Sequence, residues 1–383
     1  MAEIILRWLS FLLATLALVR LLPMTPPERW VAACFASSFI IFLARCPTIR
    51  MRGAAVLLGL LISALYADAR HAGARDWFAC ALIGLGAASI IVALSAVAMR
   101  GDQEMQSLRT AAVTSLFPAK TYLGLLMLSW ASTRTPDTYD RVLSAIDYRL
   151  HGNVSFDVAV WVRRTTWGIP WVAIAYDLLP VAVMLVAAAR WRRFRDRDPF
   201  SVPLAAAVAA AVGVAAYFLV PAAGPVFYWQ GRFPSQPPAL TELSFRPSAA
   251  PDASFRNAMP SLHFSGALLV AIGSWPFGWP GRLFGIAVVG MTFVATLATG
   301  QHYLIDLLVA IPFVLTVYAA LAERKKLLRA AIAGLTTLAC LLTIRYAPEV
   351  FEQRIVAWSI VLVALTLPIV AFMPRSFGVG RGS

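Results

Sequence analysis

The chain has 383 residues, of which 60% are hydrophobic and only 14% charged, with a mean hydropathy of +0.73. Soluble domains run at about 45–50% apolar and about 25% charged, so a soluble enzyme of this composition would lack the polar residues to cover its surface. Disordered, collagen-like and disulfide-scaffold classes are excluded by the same figures. What is left is an all-α, polytopic integral membrane protein.

Lys and Arg outnumber Asp and Glu by 33 − 19 = +14. In a soluble protein such an excess would point to nucleic acid. Here the arginines sit mainly in short loops between apolar runs, where positive charge sets membrane orientation; the expected partners are the membrane and its lipids, with no nucleic acid. Cys34, Cys46, Cys80 and Cys340 lie in or beside apolar segments without metal or disulfide spacing.

Apolar stretches occur near 4–22, 30–45, 53–67, 77–98, 111–131, 168–190, 200–220, 261–275, 283–300, 302–321, 329–345 and 355–373. A span needs about 20 residues, so these predict about twelve transmembrane helices. The first carries Arg7 and Arg20 with no small-residue cleavage site after it and reads as a retained helix. Basic connections at Arg45/Arg50/Arg52, Arg192/Arg193/Arg195/Arg197 and Arg324/Lys325/Lys326/Arg329 fall on one side by helix counting, and the Arg375–Arg381 tail joins them. The positive-inside rule makes that side cytoplasmic, with both termini. Segments 132–167, 221–260 and the junction near 300 then face outward, with Val158–Trp167 a candidate interfacial helix. The Ala- and Arg-rich composition fits a bacterial inner membrane. Three regions follow: leading helices over 1–110, a core over 111–322, and trailing helices and tail over 323–383.

The polar chemistry lies on that outer face. His302 opens Gln301-His302-Tyr303-Leu304-Ile305-Asp306, which places Asp306 one helical turn on. A carboxylate there can fix the imidazole tautomer and leave the other ring nitrogen as nucleophile or base. An Asp in an apolar span is costly and marks function by default. His263 closes Asn257-Ala258-Met259-Pro260-Ser261-Leu262-His263, and Pro260 favours the first turn of a helix. The N–H groups of such a start make an anion site, to which Ser261 adds a hydroxyl. The histidines are 302 − 263 = 39 residues apart, one helix down and one back. Two imidazoles around one phosphate fit covalent phosphoryl transfer, one attacking phosphorus and the other protonating the departing oxygen. Each motif alone is a weak signal; both, in this order and on one face, are not.

Pro260-Ser261-Leu262-His263 followed by His302-x-x-x-Asp306 resembles the second and third motifs of the type 2 phosphatidic acid phosphatase (PAP2) superfamily. The P-S-L-H form and the run Gly300–Asp306 look most like its inositol phosphorylceramide synthase branch. Pro221–Tyr228 is similar to that branch's looser first motif, and Asp147–Gly152 to a pattern upstream of its core. The resemblance covers roughly 110–322 and implies a six-helix core and a metal-independent phosphohistidine mechanism, with no cofactor. Carried over, His302 is the nucleophile, Asp306 its orienting partner, His263 the general acid and Ser261 a phosphate ligand.

Two departures stand out. Ala295 and Thr296 occupy the positions of the Ser-Arg of the simple phosphatases, and Ala239 that of the first-motif lysine ahead of Arg246-Pro247. Another cation must then offset the phosphate charge: Arg256 first, then Arg246 and Arg232. Lys120, Asp177 and His151 are weaker candidates, and Trp167, Trp171, Tyr228 and Trp229 suit an interfacial belt. Three functions are compatible with these residues. One is a phosphotransferase moving a phosphorylated headgroup from a phospholipid or polyprenyl-phosphate-type donor to a lipid or glycan hydroxyl. The second is a lipid-phosphate phosphatase, with water as acceptor. The third is a lipid transporter that merely resembles an enzyme.

Overall fold

The computed structural model describes residues 26–46, 48–69, 76–99, 104–165, 168–195, 198, 200–250, 255–322 and 327–372. The stretch near 4–22, His71, Trp167, Arg324–Lys326 and the tail from 373 lie outside them. The described chain is almost entirely helical. Its helices are α1 Pro26–Arg45, α2 Ile49–Ala69, α3 Trp77–Met99, α4 Glu104–Arg134, α5 Asp140–His151, α6 Val154–Arg163, α7 Gly168–Asp177, α8 Leu179–Phe194, α9 Val202–Leu219, α10 Pro225–Tyr228, α11 Leu262–Ser274, α12 Gly278–Ala298, α13 Leu304–Ala322, α14 Leu327–Tyr346 and α15 Arg354–Phe372. One ladder of two residues per strand pairs Asp137 with Ala249 and Thr138 with Ser248, antiparallel, a feature the all-helical expectation lacks.

Among the described residues, eight helical stretches are long and apolar enough to cross a membrane, or nine counting the pair Pro170–Asp177 and Leu179–Phe194, bent by 50°. The expected dozen shrinks for specific reasons. The first stretch is not described, and α1 carries Glu28, Arg29 and Arg45 at its ends. The stretches expected near 261–275 and 283–300 form one 37-residue run, Leu262–Ala298, interrupted by a 3₁₀ turn at Trp275–Phe277. The interfacial helix expected from Val158 starts at Val154 and ends at Arg163.

The chain divides into two compact units, each drawn from three segments: 1–127, 160–207 and 266–299 in one; 128–159, 208–265 and 300–383 in the other. In the first, α2 turns Ala55, Gly59, Ser63 and Ala67 inward and leaves Leu57, Leu60, Leu61 and Leu65 exposed. This inverts a soluble helix. Lipid is as apolar as leucine, so small residues occupy the interface and let backbones approach. A Cβ on Gly84 would sit 2.5 Å from the Gly59 carbonyl oxygen. Asp177 is paired with Arg29 at 2.6 Å, which settles its partner.

The second unit is organised around α5. Its apolar face, Val142, Leu143, Ile146 and Leu150, is fully buried with Val220, Ala258, Met259, Ile305, Ile344 and Phe351. Burying each such Leu or Ile side chain contributes about 1.5–3 kcal/mol. On the same helix, two turns apart, Asp140 and Asp147 are also buried.

Candidate active site

All the residues of the predicted site lie in the second unit. His302 is only 2% exposed and Asp306 is fully buried. Helix α13 starts at Leu304, so His302 stands just ahead of the helix and Asp306 is in its first turn. The helical i, i+4 geometry expected of the pair is therefore replaced by a cap. Asp306 Oδ2 accepts the N–H of Tyr303 at 2.8 Å, the backward half of a capping box, and stands 3.5 Å from His302 Nδ1. At that distance the carboxylate acts on the imidazole by charge. The hydrogen bond goes elsewhere: His302 Nδ1 is 2.8 Å from the Ala258 carbonyl oxygen. A carbonyl can only accept, so Nδ1 carries the hydrogen and Nε2 holds the lone pair. Ser155 Oγ donates to the His302 carbonyl at 2.9 Å and anchors its backbone.

His263 is half-buried in the first turn of α11. The helix begins one residue beyond Ser261, not at Pro260 as expected from proline's preference. Ser261 is its N-cap: Oγ accepts the N–H of Phe264 at 3.2 Å and the Ser261 carbonyl accepts that of Ser265 at 3.0 Å. Accepting at Oγ leaves the hydroxyl hydrogen available to an anion. The His263 and His302 rings lie 6.5 Å apart between centroids, inclined at 55°. The 39-residue spacing thus does bring the two imidazoles together.

Four segments converge to build this geometry. The Ala258 N–H donates to the Ala222 carbonyl at 2.9 Å, and Ser261 N–H to the Asp306 carbonyl at 3.3 Å. Val226 N–H donates to the Gly300 carbonyl at 2.9 Å. Gly224, at φ +97°, runs so close to the Gly300–Gln301 backbone that a Cβ would meet the Gln301 carbonyl oxygen at 2.3 Å, which requires glycine. Asp140 accepts N–H bonds from Ala223 at 2.9 Å and Gly224 at 2.8 Å, and the Tyr303 hydroxyl at 2.9 Å. Burial raises its carboxyl above the usual range, against those bonds.

The candidate cations separate. Arg256 is 2% exposed, so it is not a solvated loop arginine. Arg246 is exposed. Arg232 forms a two-pronged pair with Glu242 at 2.6 and 2.9 Å, whose carboxyl is held down at about 2, first by the hydrogen bond from Arg232. Trp229 is not a belt residue: it is buried and its indole N–H donates to Ser144 Oγ at 3.1 Å. His151 is exposed at the end of α5. Sequence reasoning missed the support provided by Asp140, Ser155 and the Ala258 carbonyl. A sign of the first was available, an acid on the otherwise apolar face of an amphipathic helix.

Residues 141–320 match the PAP2 superfamily. The match runs from α5 through α13 and includes both histidine motifs. It supports the superfamily, and with it phosphatase or phosphotransferase chemistry in a membrane setting. No curated protein and no solved structure matches the chain.

Proposed function

We propose that this protein is an integral-membrane phosphotransferase of the inositol phosphorylceramide synthase-like kind, working through a phosphohistidine on His302. The observation that carries the proposal is the imidazole pair: two rings 6.5 Å apart, with His302 Nδ1 tied to the Ala258 carbonyl. Productive attack brings reacting atoms to about 3–3.5 Å, and a general acid works at about 2.6–3.2 Å. One phosphorus and its departing oxygen fit between the rings on those terms.

His302 Nε2 attacks phosphorus and forms an N–P bond. The bond from phosphorus to the leaving oxygen breaks, and His263 gives that oxygen its proton. The neutral His263 then takes the proton of an acceptor hydroxyl, whose oxygen attacks phosphorus as the N–P bond breaks. Asp306, 3.5 Å from Nδ1, balances the charge that develops on the His302 ring. Buried Arg256, the Ser261 hydroxyl and the start of α11 offset the phosphate charge. Exposed Arg246 meets the anionic headgroup on approach. Donor and acceptor are phospholipid or polyprenyl-phosphate-type lipids, the acceptor a lipid or glycan hydroxyl. The site opens on the extracytoplasmic leaflet of a bacterial inner membrane with both termini cytoplasmic, and the catalytic core is the stretch 111–322.

The second reading is a lipid-phosphate phosphatase, since the same two histidines serve water as acceptor. The absence of a Ser-Arg at Ala295-Thr296 favours transfer. Mass spectrometry of products from purified protein in mixed lipid, wild type beside His302→Ala, decides between them. A new phospholipid that depends on His302 is the expected result, and loss on the order of 10⁴–10⁶ is expected for the variant. Free phosphate with no new lipid makes the protein a phosphatase. Full transfer by His302→Ala ends the phosphohistidine reading, and lipid movement that survives loss of both histidines supports a transporter.

A further inference from the structure

A helix start leaves its first backbone N–H groups without intrahelical acceptors. At α13 the residue in the cap position is Tyr303, whose hydroxyl is engaged 163 residues away by Asp140. It cannot cap its own helix. Asp306 takes the Tyr303 N–H, as described, and the next two are taken by a side chain from α5. Asp147 Oδ2 accepts the N–H of Leu304 at 2.7 Å and Oδ1 that of Ile305 at 2.9 Å. The carboxyl is 3% exposed. One carboxyl thus grips two consecutive N–H groups of the turn that carries His302 on one side and Asp306 on the other.

We propose that Asp147 is a positioning residue for the His302–Asp306 pair, acting as an N-cap supplied from another helix. The physical argument is one of degrees of freedom. His302 precedes the helix and has no helical hydrogen bonds of its own, so its ring direction depends on its two anchors, Ser155 and Ala258, and on the fixed start of α13. With Asp147 gone, the first turn is free to fray, and Asp306 moves relative to Nδ1. A misplacement of about 1 Å at a reacting group costs about 10²-fold in rate.

The inference rests on the two-histidine reading above, and the test separates the two. The full chain, purified in lipid nanodiscs, is assayed for the His302-dependent product as wild type, Asp147→Ala, Asp147→Asn and His302→Ala, with kcat, KM and the thermal unfolding midpoint recorded. Beside Asp147 lies a cavity of about 10 Å³ lined by Ser144, Asn153, Ser155 and Tyr303, room for about one water. Truncation to Ala widens that cavity, so water can reach the two N–H groups and the variant is expected to fold. Asp147→Asn is isosteric and keeps one acceptor oxygen. The expected result is a fall of about 10²-fold in kcat for Asp147→Ala, with KM unchanged and a smaller fall for Asp147→Asn. Wild-type kcat in either folded variant overturns the inference. So does a loss of folded protein in which the remaining folded fraction turns over at the wild-type rate, because that is a purely structural role. Activity in His302→Ala overturns the two-histidine reading itself, and this inference with it.

Discussion

Two helix starts meet in the second unit, and they are finished in opposite ways. At α13 the first N–H groups are taken by carboxyls, Tyr303 by Asp306 and Leu304 and Ile305 by Asp147. At α11 the cap is a neutral hydroxyl, Ser261 Oγ holding Phe264. A helix start attracts anions through its N–H groups and its dipole. The start of α13 has already spent that attraction on the protein's own acids, and a phosphate there would face two carboxyls. The start of α11 carries no such charge. The contrast divides the labour between the histidines: His302 belongs to the closed, acid-lined end as nucleophile, and His263 to the end that receives the phosphate.

The sharpest way to break this division is to remove the proton donor while leaving the nucleophile. His263→Ala is expected to lose about 10²–10⁴ in kcat with a lipid leaving group. In the burst of nitrophenol released on the first turnover, before the acceptor step in which His263 serves as base, the loss should shrink toward nothing with a nitrophenyl phosphodiester, whose departing oxygen needs no proton. An equal loss on both substrates would mean that His263 does not act as the acid. Arg256→Ala is expected to cost about 10²–10³ by analogy with a missing charge-stabilising donor, and Arg256→Lys less, since it keeps charge without the planar fork. Inorganic phosphate competing equally well against wild type and Arg256→Ala would remove Arg256 from the anion site.

Much of the scaffold was legible because long apolar runs have one solution in a membrane. The stretches near 200–220, 302–321 and 355–373 correspond to Val202–Leu219, Leu304–Ala322 and Arg354–Phe372 within two residues. The histidine pair was legible from spacing. What was not legible is how the pair is held. The acceptor for His302 Nδ1 is a backbone carbonyl, which has no side-chain signature, and the Asp140 and Asp147 carboxyls act on backbone N–H groups 83 to 158 residues away. Helix α5 mixes acids and arginines with its apolar face, so composition reads it as a polar outer loop, whereas its face periodicity buries Asp140 and Asp147 together with Leu143 and Ile146. The burial of Arg256 was not legible for a related reason. It sits among Pro, Ser and Ala in an irregular segment, and only the bonds Ala258–Ala222 and Ser261–Asp306 reveal that this segment is folded inward.

The two starts should also differ in their response to pH. Burial first, then the nearby Asp306 charge, pushes the Asp147 carboxyl up from 3.8 to about 8, against the two N–H bonds that favour its ionised form. Between those values the native protein keeps a proton that the unfolded chain has lost. The corresponding stability is full below the unfolded value and is lost as pH rises through about 8, at no more than about 1.4 kcal/mol per pH unit. Asp147→Asn has no proton to exchange, so its unfolding midpoint should fall less steeply across that window than wild type. Parallel slopes would show that this carboxyl does not titrate there.

The smallest effect is expected at the neutral start. Ser261→Ala removes an N-cap and should cost about 1 kcal/mol, whereas Ser261→Gly, a tolerated cap without a hydroxyl, should cost only a few tenths. Because no charge changes, the cost of Ser261→Ala should be the same at every pH, unlike that of Asp147→Asn. Both Ser261 variants lose the hydroxyl proposed to donate to phosphate, so both should lose activity to the same extent despite their different stabilities. If activity instead tracked stability, full in Gly and reduced in Ala, the hydroxyl would be only a cap. The anion would then be held by Arg256 and the α11 backbone alone.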